Sequence, residues 1–406
     1  MAKKVVVVGA FDTKGAEHKF IIDIFLKNGL QVITVNTGVM GSTDLFKIDI
    51  SSDKVAAAGG TSLTTLQNAN DRGAAIKAMT DGVAVVVKEL YATEGFDGII
   101  GMGGTAGTAV VTAAMRALPF GLPKICVSTV ASGDTSPYLG TSDTILIPSL
   151  TDISGINSLS RVFLSNAAGA LTGMVNAMVE STADEKPIVA ASMFGNTTPC
   201  IDSCREMLSN KGYEVLVFHA TGAGGKTMEQ LIKDGHVKGA LDITTTEWAD
   251  TIGGGVFDAG PQRLDGPGQA GIPHLIAPGC IDMCNFGAPD TIPAKYKDRL
   301  FYKWNPNVTL MRTTPEENAD MGRIFAEKAN ASKGTVKFLI PLKGYSMLDS
   351  IKDGEPQLFW DPAADSAFVD ALKSNLKPGI EVIELDANIN DPMFAQKAVE
   401  LFLQMM

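Results

Sequence analysis

The sequence predicts an α/β protein of two Rossmann-like, doubly wound parallel-sheet subdomains related by internal duplication. Three observations predict it. Apolar runs of about five residues alternate with amphipathic stretches along the whole chain, the pattern of parallel strands joined by helices. Many of the 42 glycines fall in short clusters directly after those runs, where a loop needs positive φ or close approach of a ligand to the backbone. The order of segments also repeats: "VVVVGAFDTKG…NGLQVITVNTGVMG" is followed 183–184 positions later by "IVAASMFGNTT…KGYEVLVFHATGAGG".

The elements follow in order. Val5–Val8 reads as a buried strand. Gly15–Asn28 reads as a helix with Phe20, Ile21, Ile24 and Phe25 on one face and Gly29 closing it. Strands are expected at Gln31–Val35, 96–101, 124–128 and 144–147, and helices over 69–92 and Gly104–Leu118, the last ending before Pro119. The polar stretch 181–187 places the boundary between subdomains 1–183 and 184–406. In the second half Phe194 answers Phe11, Gly212 answers Gly29, and Thr221-Gly222 answers Thr37-Gly38. Further strands are expected near 300–304, 335–340 and 380–385. A closing helix has Asp391 as cap, Pro392 at its first position, and Phe394, Ala398, Leu401, Phe402 and Met405 inward.

Composition excludes several classes. Apolar residues make up 45% and charged residues 19%, a well-buried globular balance. The net charge is −11 and no basic block is present, so no nucleic-acid partner is expected, and an anionic ligand needs local devices to hold it. No apolar run reaches spanning length, so no membrane association is expected. The start, "MAKKVVVVGAF", has a signal peptide's charge and apolar run. Asp12, Lys14 and Glu17 follow at once, which reads instead as a first strand. Five cysteines in a chain of this length fit a reducing, cytoplasmic setting.

In an open parallel sheet, ligands bind where the strands end at their carboxyl edge. Strand one is followed by Asp12, Thr13 and Lys14, strand two by Thr37 and Gly38. "GMGGTAGT" supplies Gly103, Gly104, Thr105, Gly107 and Thr108, and "ASGD" supplies Ser132, Gly133 and Asp134. A buried strand feeding glycines and then a helix makes Gly103–Thr108 the best phosphate candidate, since free N–H groups at a helix start bind anions without lysine. The alternative is a tight turn needing glycine for packing. "HATGAGGKT" ends like a P-loop, but Ala220 occupies the place of the first glycine, so a Walker loop is disfavoured. Asp134 and Asp12 suit Mg²⁺ contact or catalysis; a turn aspartate satisfying its own backbone is an equal reading of Asp134. In the second half Thr197, Thr221, Gly222, Thr245, Glu247 and Asn285 are the substrate-binding candidates. His219 is a general base or a hydrogen-bonded core histidine, while His18, His236 and His274 read as peripheral. Cys200/Cys204 and Cys280/Cys284 are C-x₃-C pairs whose four thiolates could hold zinc or an iron–sulfur cluster; zinc knuckles use C-x₂-C and free cysteines are often merely buried, so metal is the minority reading.

"FDTKG", "GMGGTAGTA", "KICVSTVASGDTSPYLGTSD", "TDISGIN", "MFGNTTPC", "EVLVFHATGAGG", "APGCIDMCNFG", "NPNVTLMRTTPEEN" and "ELDANINDP" run in order from end to end. With them the chain resembles the ATP-binding domain family of the tomato mosaic virus resistance protein, whose bacterial and fungal members are of uncharacterised function. The resemblance implies ATP as ligand, two Rossmann-like subdomains and a homodimer. It does not carry over the plant protein's antiviral role, which involves a further domain. The expected function is that of an ATP- and Mg²⁺-dependent phosphotransferase or ligase acting on a small metabolite. Asp12 and Asp134 would be catalytic, and the first-half loops would bind the cofactor. The alternative is a nucleotide-gated binding protein without turnover. An oxidoreductase is disfavoured because "GAFDTKG" stands where G-x-G-x-x-G belongs.

Overall fold

The computed structural model describes residues 2–177 and 186–406, and the chain divides into two compact units, Met1–Ser181 and Thr182–Met406. Of the polar stretch 181–187, residues 181–185 lie outside the described residues.

The first unit runs β1 (Lys4–Gly9), α1 (Phe11–Lys27), β2 (Gln31–Asn36), α2 (Ser52–Ala58), α3 (Leu63–Ala69), α4 (Arg72–Glu94), β3 (Gly98–Gly103), α5 (Thr105–Arg116), β4 (Lys124–Ser128), α6 (Ser136–Leu139), β5 (Ile145–Pro148) and α7 (Ser158–Asn176). Its five strands are all parallel in the order β2-β1-β3-β4-β5. The run of valines at 5–8 is wholly buried because the strand lies inside the sheet with helices on both faces. The 69–92 helix begins three residues late because Asn70 adopts a left-handed conformation and Asp71 caps the new start through the N–H groups of Gly73 and Ala74. Two short helices ahead of it, α2 and α3, are additions to the expected pattern, each capped by a serine.

The second unit runs β6 (Ile188–Met193), α8 (Thr198–Asn210), β7 (Glu214–His219), α9 (Ala223–Lys233), β8 (Gly239–Thr244), α10 (Glu247–Gly253), α11 (Gly266–Ala270), β9 (His274–Gly279), β10 (Met283–Phe286), β11 (Phe301–Asn305), β12 (Val308–Arg312), α12 (Pro315–Asn330), β13 (Val336–Pro341), β14 (Ile351–Lys352), β15 (Glu355–Pro356), α13 (Pro362–Asn375), β16 (Glu381–Leu385) and α14 (Pro392–Met405). Six strands form a parallel sheet ordered β16-β13-β9-β8-β6-β7. Read from its own first strand, this is the first unit's order with one strand added at the far edge. The 300–304 strand belongs elsewhere: β11 pairs antiparallel with β12 in a three-stranded sheet, β10-β12-β11. Its side chains are mostly exposed, as an edge strand allows.

The order 2-1-3-4-5 reverses direction between the first and third strands of each unit. That is the switch point, where two connections leave in opposite directions and a crevice opens at the carboxyl ends. In the first unit it lies between the ends of β1 and β3; in the second, between β6 and β8. The ladder also refines the internal echo. Gly9 pairs with Asn36 and Met193 with His219, so Ala220, not Thr221, takes the place of Thr37.

Candidate functional site

At the first switch point a cavity of about 320 Å³ opens beside the glycine loop. Ala106, Gly107 and Val110 of α5 form one side, and Ala10 and Thr37 form the floor at the ends of β1 and β2. Val39, Met40, Leu66, Ile76 and Met79 make an apolar wall. The loop is tight. Gly103 ends β3, and a Cβ there would sit 2.6 Å from the Cα of Gly107. Gly104 is the N-cap of α5 with no side chain capping it, and its carbonyl accepts from Thr108 N at 2.7 Å. The N–H groups of the helix's first turn therefore present a positive helix end at the cavity's edge. Thr108, expected to bind cofactor, is instead fully buried: its hydroxyl bonds the Gly103 carbonyl at 3.2 Å and Ser128 Oγ at 2.7 Å.

The other first-unit candidates divide among three places. Thr37 joins the cavity, its N–H bonded to Gly9 O at 2.9 Å. Gly38 is bound through its N–H to Asn36 Oδ1 at 2.9 Å, and a Cβ on it would meet Asp12 Cγ at 2.5 Å. Asp12 and Thr13 line a second, more open depression with Glu17, Thr43 and Gly155. One oxygen of Asp12 accepts from Met40 N at 2.9 Å, and the other is buried without a partner. Lys14 turns to the Ile153 carbonyl. Ser132, Gly133 and Asp134 form an exposed loop, where Asp134 accepts from the N–H (3.0 Å) and hydroxyl (2.6 Å) of Ser136. Those bonds hold its carboxyl below the usual range and make it a turn-forming aspartate.

His18 is the residue sequence reasoning placed worst. It is fully buried, not peripheral: Nδ1 lies 2.7 Å from the Lys14 carbonyl, and Nε2 packs where Gly9 has no side chain. Burial pushes its pKa down to about 4, so it stands neutral beneath the end of β1.

In the second unit the P-loop-like stretch is already occupied. The N–H groups of Gly222 and Gly225 donate to Glu247 Oε1 at 2.8 and 3.1 Å, and a Cβ on Gly225 would fall 2.2 Å from Glu247 Oε2. A protein carboxylate thus stands where a P-loop would hold phosphate. Glu247 is fixed in turn by Arg263 Nε at 2.6 Å. The same wholly buried guanidinium binds both oxygens of Asp242 and lies 3.3 Å from Glu229, while His274 Nε2 lies 3.1 Å from Asp242. Burial alone would raise Asp242, but Arg263 outweighs it and holds that carboxyl well below the usual range. His219 is exposed and rests against the ring of Phe194. Lys226 is exposed at the outer side of the loop.

The remaining substrate candidates are interior, except the half-buried Thr221. Thr197 is buried with its hydroxyl 2.7 Å from Thr244 Oγ1, and Thr245 donates to the Ala277 carbonyl at 3.0 Å. Thr221 bonds within its own turn to His219 O at 3.3 Å. Asn285 holds Asp250, whose carboxyl burial lifts to about 7. Among the described residues no group of three or more His, Cys, Asp or Glu side chains is placed to hold a metal, and all five cysteines are free and buried. No described helix is long and apolar enough to cross a membrane.

The apolar wall contributed by α3 and α4 had no separate sequence signal, since Leu66, Ile76 and Met79 read as ordinary core. Asp242 had one: a carboxylate inside the apolar run "GALDIT" requires a buried cation.

Comparison with known proteins follows the same division of the chain. The uncharacterised protein family UPF0261 matches twice, its N-terminal domain over residues 3–180 and its C-terminal domain over 186–406. A UPF0261 protein of Clostridium tetani is 47% identical over 100% of both chains, and one of Rhizobium meliloti is 45% identical over 98% of each. The ToMV resistance protein Tm-1(GCR237) of Solanum lycopersicum is 38% identical over 99% of this chain and 55% of the tomato protein. Among solved structures, a UDP-N-acetylglucosamine 2-epimerase of Listeria monocytogenes aligns over 68% of this chain and 79% of its own at 12% identity. Its TM-score is 0.25, too slight a likeness to carry any argument. The chain belongs to the UPF0261 family, and the tomato resistance protein is among its relatives.

Proposed function

We propose that the first unit binds a purine nucleotide, ATP, at the carboxyl edge of its sheet. The observation that carries this reading is the cavity of about 320 Å³, a size that suits a small ligand, with an apolar wall on one side and an uncapped helix start on the other. The base fits among Val39, Leu66, Ile76 and Met79. The phosphates fit the first-turn amides of α5 at Thr105, Ala106 and Gly107. Arg72 is the one cationic side chain among the lining residues and complements the phosphate charge. The reading agrees with what the resemblance to the tomato protein's family implies.

Mg²⁺ belongs to the reading as an ion carried by the nucleotide's phosphates and reaching the protein through water, with Asp12 and Thr13 of the neighbouring depression as its hard-oxygen groups. In the enzymatic form of the proposal the protein is an ATP-dependent phosphotransferase or ligase acting on a small metabolite. One observation favours the second reading, nucleotide-gated binding without turnover: Asp12 spends a carboxylate oxygen on the Met40 N–H after β2, and Asp134 spends one on its own turn. A cytoplasmic homodimer completes the proposal; five free, buried thiols suit a reducing compartment.

Photolabelling with 8-azido-ATP and peptide mapping tests the site. Label is expected on peptides spanning 37–79. Label confined to 214–233, or none above a competitor-insensitive background, removes the proposal. Release of ADP during prolonged incubation then separates the enzyme from the gated binder.

A further inference from the structure

Away from the nucleotide cavity, the second unit gathers three carboxyls around one guanidinium. Asp282 follows β9, Asp349 lies in the loop after β13, and Asp365 stands in the first turn of α13. Asp282 and Asp349 are fully buried, and Arg312 of β12 is 6% exposed. Arg312 pairs with Asp365 Oδ1 at 3.0 Å; its other N–H groups go to the Phe359 carbonyl (2.8 Å) and Thr313 Oγ1 (3.0 Å). Ser346 Oγ donates to Asp282 Oδ2 at 2.8 Å, and Tyr345 N donates to Asp349 Oδ2 at 2.9 Å. The second oxygens of Asp282 and Asp349 are buried without partners.

This loop carries a load. Gly344 adopts φ +100°, where a Cβ would lie 1.8 Å from the Asp349 carbonyl, so the turn closes tightly on the acid. Ser346 Oγ also accepts from the N–H groups of Leu348 and Asp349 at 3.0 Å each. Directly on the segment it closes, Leu342, Met347, Ile351 and Leu358 are each about half exposed.

We propose that Asp282, Asp349 and Asp365 form a proton-operated latch that holds the apolar segment 342–359 closed while protons are shared around Arg312 and frees it when they leave. With two protons on the three carboxyls, the cluster's single negative charge balances Arg312. Without them, two uncompensated charges lie in a buried site that cannot solvate them. Asp365 faces Arg312 directly, while Asp282 and Asp349 each keep one buried oxygen without a partner, so a proton on each avoids an unsolvated buried charge. Burial, and then the neighbouring Asp349 carboxylate, lift Asp282 to about 7 and Asp365 to about 9, and burial lifts Asp349 against the pull of Arg312. The other titratable groups facing the cluster stay neutral. Burial pushes up both the Cys280 thiol after β9 and the Tyr345 phenol, whose hydroxyl donates to the Asp365 carbonyl at 3.0 Å.

The sign follows. These carboxyls hold protons in the closed state that an opened, hydrated loop releases above about pH 4. Closure is therefore strongest in mild acid and weakens as pH rises through 7 toward 9. Each proton released on opening shifts the opening equilibrium tenfold per pH unit.

Amide hydrogen exchange on the full chain, at several pH values and corrected for intrinsic base catalysis, reads this. Protection over 343–349 and the start of α13 is expected to fall about a hundredfold per pH unit between pH 5.5 and 6.5, one decade for each of the two protons, with β6 and β8 as the internal reference. Asp365→Asn keeps the shape and removes one ionisable carboxyl from the cluster, so the slope falls by about one decade per pH unit. Asp282→Asn gives a second, independent reduction and serves if the first variant does not fold. Protection over the segment that tracks the reference strands at every pH, or a slope unchanged in the folded variants, overturns the latch.

Discussion

The chain has two glycine-rich strand-to-helix loops, and their fates are opposite. "HATGAGGKT" looks more like a phosphate loop, yet Gly222 and Gly225 donate to Glu247, which Arg263 locks from behind. "GMGGTAGT" has no lysine, yet its helix starts uncapped beside an apolar cavity. The difference teaches that a glycine loop is an anion receptor whose occupant may be the protein itself. One buried glutamate converts a ligand site into a structural joint.

The largest effect expected from this contrast is on the joint. Arg263→Met leaves Asp242, Glu247 and Glu229 buried without their cation, and should cost the second unit about 3–5 kcal/mol, read by urea unfolding. A cost near zero would mean the loop does not depend on its internal carboxylate. The first unit has its own support, the neutral His18 under β1. Its folded pKa of about 4 lies below the unfolded 6.5, so the unfolded chain binds the extra proton. Stability is full above pH 6.5 and falls as pH drops toward 4, by up to about 3 kcal/mol. His18→Gln should flatten that acid limb, measured by the first unit's unfolding midpoint against pH.

Smaller in energy but sharper in meaning is Ala106→Asp. A carboxylate in the first turn of α5 complements the helix end by about 0.3–1 kcal/mol, while standing where phosphate would bind. Thermal stability should rise slightly as ATP affinity drops at least about tenfold, by like-charge repulsion close to the site. A fall in both would mean the residue was merely structural. The smallest effect expected is Asp134→Asn, exposed in its own turn, with no resolvable shift in the thermal midpoint and no change in ATP affinity. Loss of ADP release in that variant, with binding kept, would restore its catalytic role.

The strands were legible because burial on both faces forces continuous apolar runs, and Val5–Val8 or Lys124–Ser128 admit no other reading. The glycine clusters mark the carboxyl edge of each sheet, where strands turn tightly into helices. What could not be read was which polar side chains face inward. Thr108, Thr197, Thr245 and Glu247 have the chemistry of ligand-binding groups, but each finds its partner within the fold. Small hydroxyls and carboxylates satisfy backbone groups as well as ligands, and only the contact decides. β11 was legible as a strand but its antiparallel pairing was not, because an exposed edge strand has no signal for its partner's direction.

The central claim is that nucleotide phosphates meet the first glycine loop and not the second. Calorimetric titration of the full-length protein with ATP and Mg²⁺, alongside Ala106→Asp and Lys226→Ala, tests it most directly. The account predicts micromolar binding that survives Lys226→Ala and is lost in Ala106→Asp. Binding that survives Ala106→Asp and disappears with Lys226 would contradict it and return the phosphate to the loop that resembles a P-loop.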